Sequence, residues 1–92
     1  MGRFAALPGG DWIEQGLADL ERGTLSIPAL LVSIGAPRLR HLGLEVANPI
    51  AEPEHRLYAE LSKTDSDSAH SRYNALIRRL VSFEHAAECG GL

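Results

Sequence analysis

The sequence predicts an all-α protein, a compact orthogonal or irregular bundle of four main helices plus one short helix. Three observations lead there. Apolar residues recur at spacings of three and four in segment after segment, the period that lines one face of a helix. Serine, aspartate, proline and glycine stand where those segments begin and end, as helix caps and stops do. No β-branched alternating run reaches strand length.

In chain order, residues 1–10 (MGRFAALPGG) read as a flexible N-terminal arm closed by Pro8-Gly9-Gly10, and a single helical domain follows over residues 11–88. Asp11 is the expected N-cap of the first helix, with Glu14 completing a capping box. That helix runs from Trp12 to about Arg22, with Trp12, Ile13, Leu17 and Leu20 inward and Gly23 as its stop. Gly16 inside it costs about 1 kcal/mol relative to alanine. Either another helix packs closely there or the helix is imperfect.

Ser26 caps the second helix and Pro28 fits its first turn. Ile27, Ala29, Leu30, Leu31, Val32 and Ile34 are apolar nearly all round, so this helix is the central core element. Gly35-Ala36-Pro37 breaks it, and a short helix from Arg38 to Leu42 ends at Gly43. Leu44 to Glu52 is a linker with a turn at Asn48-Pro49. Pro53 opens a helix to about Lys63, with Leu57, Tyr58 and Leu61 inward. Thr64 to Ser68 ends it and caps the last helix, roughly Ala69 to Ala87. There Ala69, Tyr73, Leu76, Leu80, Phe83 and Ala87 share one face. Residues 89–92 are expected to be a disordered tail.

A chain of 92 residues makes one domain and buries only about 60–65% of its unfolded surface. Aromatics are 5% of residues, so leucine, isoleucine, valine and alanine must supply the core, with Phe4, Trp12, Tyr58, Tyr73 and Phe83 as large anchors. The formal charge of -3 argues against a surface that grips nucleic acid everywhere. Thr24 to Leu44 nevertheless holds no acid but carries Arg38, Arg40 and His41, and no acid interrupts Ser68 to Phe83. Lone Cys89 can form no internal disulfide, which fits a reducing cytoplasm. The longest apolar run, Ile27 to Ile34, is too short for a bilayer, so no membrane association is expected.

Leu30 to Gly43 has the outline of a helix-turn-helix whose second helix displays Arg38, Arg40 and His41 toward DNA. Pro37 and Gly43 leave that helix barely two turns, and His41 stands where the motif buries a branched aliphatic. The plainer alternative is a sharp corner whose arginines are solvated or pair with Glu45 or Glu21. In the last helix, Arg78 and His85 enclose six residues, which resembles the Arg-x(4–6)-His motif of HEPN-type helical ribonucleases. The resemblance implies RNA cleavage, with His85 as general acid/base and Arg78 holding the phosphate. It covers one helix only, and Leu80 and Val81 replace the polar neighbour of that family. Arg72 and Arg79 flank the apolar face, where their stems cover core edges and their heads either pair with acids of the first helix or bind an acidic partner segment.

His41, His55, His70 and His85 lie on four different segments, so neither metal nor cofactor is expected, and no catalytic residue is assigned. The first expectation is therefore a cytoplasmic, non-catalytic interaction or regulatory module with Arg72, Arg79, Arg38, Arg40 and His41 as partner-binding residues. Its partner is an acidic protein surface or a second copy. A homodimer would form through the last helix, over an apolar strip near Val81 or Ile77 with Arg72 and Arg79 at the rim. DNA binding through the Arg38–His41 segment is the alternative, and the HEPN-like ribonuclease comes third.

Overall fold

The computed structural model describes Phe4 and residues 6–90. It holds five helices: α1 (Gly10–Glu21), α2 (Ile27–Ile34), α3 (Ala36–His41), α4 (Pro53–Thr64) and α5 (Ala69–Gly90). No strand occurs among the described residues. The fold is all-α, with four main helices and one short one.

α2 is the hub. Ala29, Leu30, Leu31 and Val32 have no exposed surface, and α2 touches each of the other four helices. Its most extensive neighbour is α1, and Gly16 explains why. A Cβ there would stand 2.3 Å from the Pro28 carbonyl oxygen and 2.4 Å from Val32 Cγ2. Gly16 lies on the same face as buried Ile13 and Leu20, so its missing side chain lets two backbones meet at the centre of the contact. The sequence left two explanations for this glycine, and close helix packing is the one observed.

A buried acid locks the same contact. The Asp19 carboxylate accepts hydrogen bonds from Ser26 Oγ (2.6 Å), Gln15 Nε2 (2.9 Å) and Arg22. Ser26 Oγ in turn accepts from the Ala29 amide at 3.1 Å, which caps α2. The end of α1 thus orients the cap of the next helix. The Ser26 hydrogen bond is the main reason that the Asp19 carboxyl is held below its usual range, with Gln15 and Arg22 adding to it against the opposing effect of burial.

Gly23 and Gly43 end α1 and α3 in the same way, each at positive φ. After α1 the Gly23 amide donates to Leu20 and the Thr24 amide to Asp19; after α3 the Gly43 amide donates to Arg40 and the Leu44 amide to Leu39. Both are Schellman closures, which glycine adopts without steric cost. The linker after α3 is packed rather than free. Leu44 and Val46 are buried, and Ser33 Oγ, which donates to the Ala29 carbonyl, accepts the Ile50 amide at 2.9 Å.

Four expectations are corrected. The expected N-terminal arm is not loose where it is described: Phe4 is 3% exposed and meets Phe83 edge-on, with ring centroids 5.6 Å apart. That geometry adds about 0.5–1.5 kcal/mol beyond area burial. Asp11 is not the cap of α1, because the helix starts at Gly10 behind Gly9, which has no side-chain cap bond. Tyr58 is 40% exposed, since only Leu57 and Leu61 of α4 reach the core. It meets Tyr73 instead, with the rings tilted at 56° and centroids 5.9 Å apart. Cys89 and Gly90 belong to α5, which outruns the expected end near Ala87. The remaining expectations for the arm and tail, at residues 1–3, 5, 91 and 92, lie outside the described residues.

Two stability predictions follow from the α1–α2 contact. In an exposed helix Gly→Ala stabilises, but Gly16→Ala is expected to destabilise by about 1–3 kcal/mol through overpacking. Urea denaturation reads this directly, and a raised midpoint would contradict the close approach. Asp19 titrates lower in the folded chain than in the unfolded one, so its contribution is full above about pH 4 and fades as pH falls through the folded value. The stability gap between wild type and Asp19→Asn should therefore be widest near neutrality and narrow on acidification. A gap that is constant with pH would show that charge plays no part.

Candidate functional site

The five residues expected to bind a partner divide into two groups. Arg38 of α3 pairs with Glu88 of α5, and Arg40 Nη2 donates to the Val46 carbonyl at 2.7 Å. Leu39 between them is buried, and only His41 stands exposed without such a contact. α3 is six residues long. Its two arginines hold α5 and the linker in place, and the pairing of either with Glu45 or Glu21 is not observed.

Arg72 and Arg79 occupy a different setting. They border a cleft of about 230 Å³ whose other walls are Trp12, Ile27, Ala75 and Leu76. The guanidinium of Arg79 lies over the Trp12 ring, 5.3 Å from its centroid. Its stem runs against Gly9, where a Cβ would come within 2.7 Å of Arg79 Cγ. Arg72 Nη1 donates to Thr64 Oγ1 at 3.1 Å. Neither arginine has a carboxylate within ion-pair distance among the described residues. The expected pairing with acids of the first helix is absent, and an aromatic face and a hydroxyl stand in its place.

The arginines and the apolar strip of α5 do not adjoin. Val81 is 54% exposed, and Ile77 and Tyr73 precede it by one and two helical turns, half-buried. Residues two apart on a helix point about 200° apart, so Val81 faces away from Arg79. Arg72 and Arg79 therefore do not form the rim of that strip. Arg78 and His85 lie exposed on the outer side of α5, with His85 Nε2 3.8 Å from Cys89 Sγ. No group of three His, Cys, Asp or Glu among the described residues could hold a metal ion. No helix there is long and apolar enough to cross a membrane.

Two groups escaped the sequence reading. Trp12 was expected to point inward, yet it is half-buried as a cleft wall, and its contact with Arg79 joins opposite ends of the chain, which no local period reveals. Glu84 was legible: it follows Leu80 by four residues, on the apolar face. It is buried beside Gly35, where a Cβ would stand 3.1 Å from Oε2. Burial pushes its carboxyl above the usual range, and nearby Glu88 adds to this while Arg38 opposes it.

Ionised Glu84 thus costs stability above its folded pKa and nothing below its unfolded one. Glu84→Gln should be more stable than wild type at pH 7, with the advantage gone by about pH 4. Thermal melts across that range test the sign, and a variant less stable at neutral pH would reverse it.

No protein-family model matches the chain, and neither the curated proteins nor the solved structures offer a significant match to it.

Proposed function

We propose that the chain is a small, non-catalytic interaction module of the cytoplasm that engages its partner through α5. The partner is a protein with an acidic surface or a second copy of the chain. One observation carries this: Arg72 and Arg79 border an apolar cleft, held by Trp12, Gly9 and Thr64, with no carboxylate among the described residues in ion-pair range of either. Two held cations without a direct ion pair, Arg79 on an aromatic face and Arg72 with only the longer-range field of Asp65, beside apolar surface are what an acidic protein segment recognises. Val81, with Ile77 and Tyr73 behind it, is the surface a second copy would cover in a two-fold dimer.

DNA binding through Arg38, Arg40 and His41 gains no support from α3, whose arginines are committed to Glu88 and the Val46 carbonyl. The HEPN-like reading likewise gains none, because Arg78 and His85 stand on open helix surface.

The test compares wild type with Arg72→Glu/Arg79→Glu and with Val81→Glu, all first shown to be folded by circular dichroism. Immobilised wild type should retain a stoichiometric protein from native extract that the double variant loses, or sedimentation equilibrium should show self-association that one of the variants abolishes. A monomer at every concentration, with the same bound proteins for all three forms, would overturn the module reading. Labelled duplex DNA at low salt should show no shift; a shift that weakens steeply with salt would favour the α3 alternative.

A further inference from the structure

On the far flank of α1 from Trp12 lies a hollow of about 540 Å³, whose lining includes Phe4, Glu14, Leu17, Glu21, Leu44 and Glu45. Three of these are acids, and none has a cation within ion-pair distance among the described residues. Glu14 and Glu21 are seven residues apart on α1, with Leu17 and Ala18 between them. Arg72 and Arg79 are also seven apart on α5, with Ala75 and Leu76 between them. Seven residues make about two turns and a rise of about 10.5 Å, so each helix edge carries two like charges with small or apolar residues between. The two edges match in spacing and oppose in sign.

Resting on the interaction reading above, we infer that a second copy of the chain is the occupant: the Arg72–Arg79 edge of α5 docks into the Glu14–Glu21 hollow of the next molecule. Exposed Ala75 and half-buried Leu76 supply apolar surface between the arginines along the edge of their cleft, and Leu17, Leu44 and Phe4 give the hollow an apolar floor. The charges pair at the rim and the apolar atoms meet at the centre, the arrangement of specific interfaces. A nucleic acid fits less well, because the whole chain is net negative and the cleft is apolar.

The symmetry is fixed by where the edges lie. Trp12, against which Arg79 stacks, precedes Glu14 by two residues and so points to the opposite flank of α1. One pair of molecules cannot satisfy both edges of both copies at once. The contact is head-to-tail, and it extends beyond the dimer as concentration rises.

The experiment uses two charge-altered chains, Arg72→Glu/Arg79→Glu and Glu14→Gln/Glu21→Gln, so that the altered edges do not complement each other; each is checked by circular dichroism. Wild type at low salt should show a sedimentation-equilibrium mass that climbs past the dimer with concentration and falls back with added salt. Each variant alone should be monomeric. An equimolar mixture retains one intact edge of each kind and should form a 1:1 dimer that goes no further. Trp12, the only tryptophan, reports the event by a fluorescence change on mixing. Two monomeric variants that stay monomeric when mixed would overturn the proposal, as would a wild-type monomer throughout. A dimer lost in Val81→Glu but kept in both charge variants would also overturn it while leaving the module reading standing.

Discussion

The backbone contact at Gly16 is the constraint from which the rest of the molecule follows. α2 is apolar nearly all round, and a short chain has few elements with which to cover it. Covering it needs α1 against it at backbone distance, which only a residue without a side chain permits. Once α1 is that close, its C-terminal end meets the start of α2, and buried Asp19 can reach the Ser26 hydroxyl. An exposed carboxylate would gain little from such a bond. Held beside Ser26, Gln15 and Arg22, the ionised form is fully partnered, and the buried charge becomes a tether instead of a penalty.

The same shortage of covering material shapes the surface. The second half of α5 is used inward, with Leu80, Phe83 and Ala87 in the core and Phe83 against Phe4. Glu84 is carried in with them because it shares their face. Arg38, near the same place, faces Glu88 and partly offsets the buried acid. The first half of α5 covers less, so Tyr73, Leu76 and Ile77 are only partly buried and its two flanks remain available. One flank holds the arginines beside Trp12; the other holds Val81.

Much of the fold could be read in the sequence, because helices are written in local periods and caps. Ser26 capping α2, Pro28 in its first turn, the glycine stops at Gly23 and Gly43, and Pro53 opening α4 are all observed. What misled was the assumption that a glycine pair breaks order. Gly9 and Gly10 instead turn the chain so that Phe4 enters the core, a contact 79 residues away in sequence from Phe83. The partner-binding assignment had the same weakness. Acid-free runs marked Arg38 and Arg40 as strongly as Arg72 and Arg79, yet the first pair is met by Glu88 and the Val46 carbonyl. Which cations keep an open charge is decided by tertiary neighbours, and no window of sequence contains them.

The choice of neighbour matters for Arg79. An exposed ion pair contributes about 0–1 kcal/mol, and a cation over an exposed aromatic ring contributes about 0.5–1 kcal/mol. Intramolecular stability therefore gives little reason to prefer Trp12 over a carboxylate. The difference lies in what is left over. A carboxylate takes up both the charge and the donor edge of the guanidinium. An aromatic face meets the flat side of the group, fixes the long side chain, and leaves the N–H edge and the positive charge available. Arg72 is in a similar state, with one nitrogen on the Thr64 hydroxyl, Asp65 near enough to feel its charge, and no carboxylate among the described residues in ion-pair range. Each side chain has one contact that favours a single placement, Trp12 for Arg79 and Thr64 for Arg72. The cleft beside them thus keeps cationic N–H edges next to apolar surface, and the acid-lined flank of α1 carries the opposite charge at the same spacing.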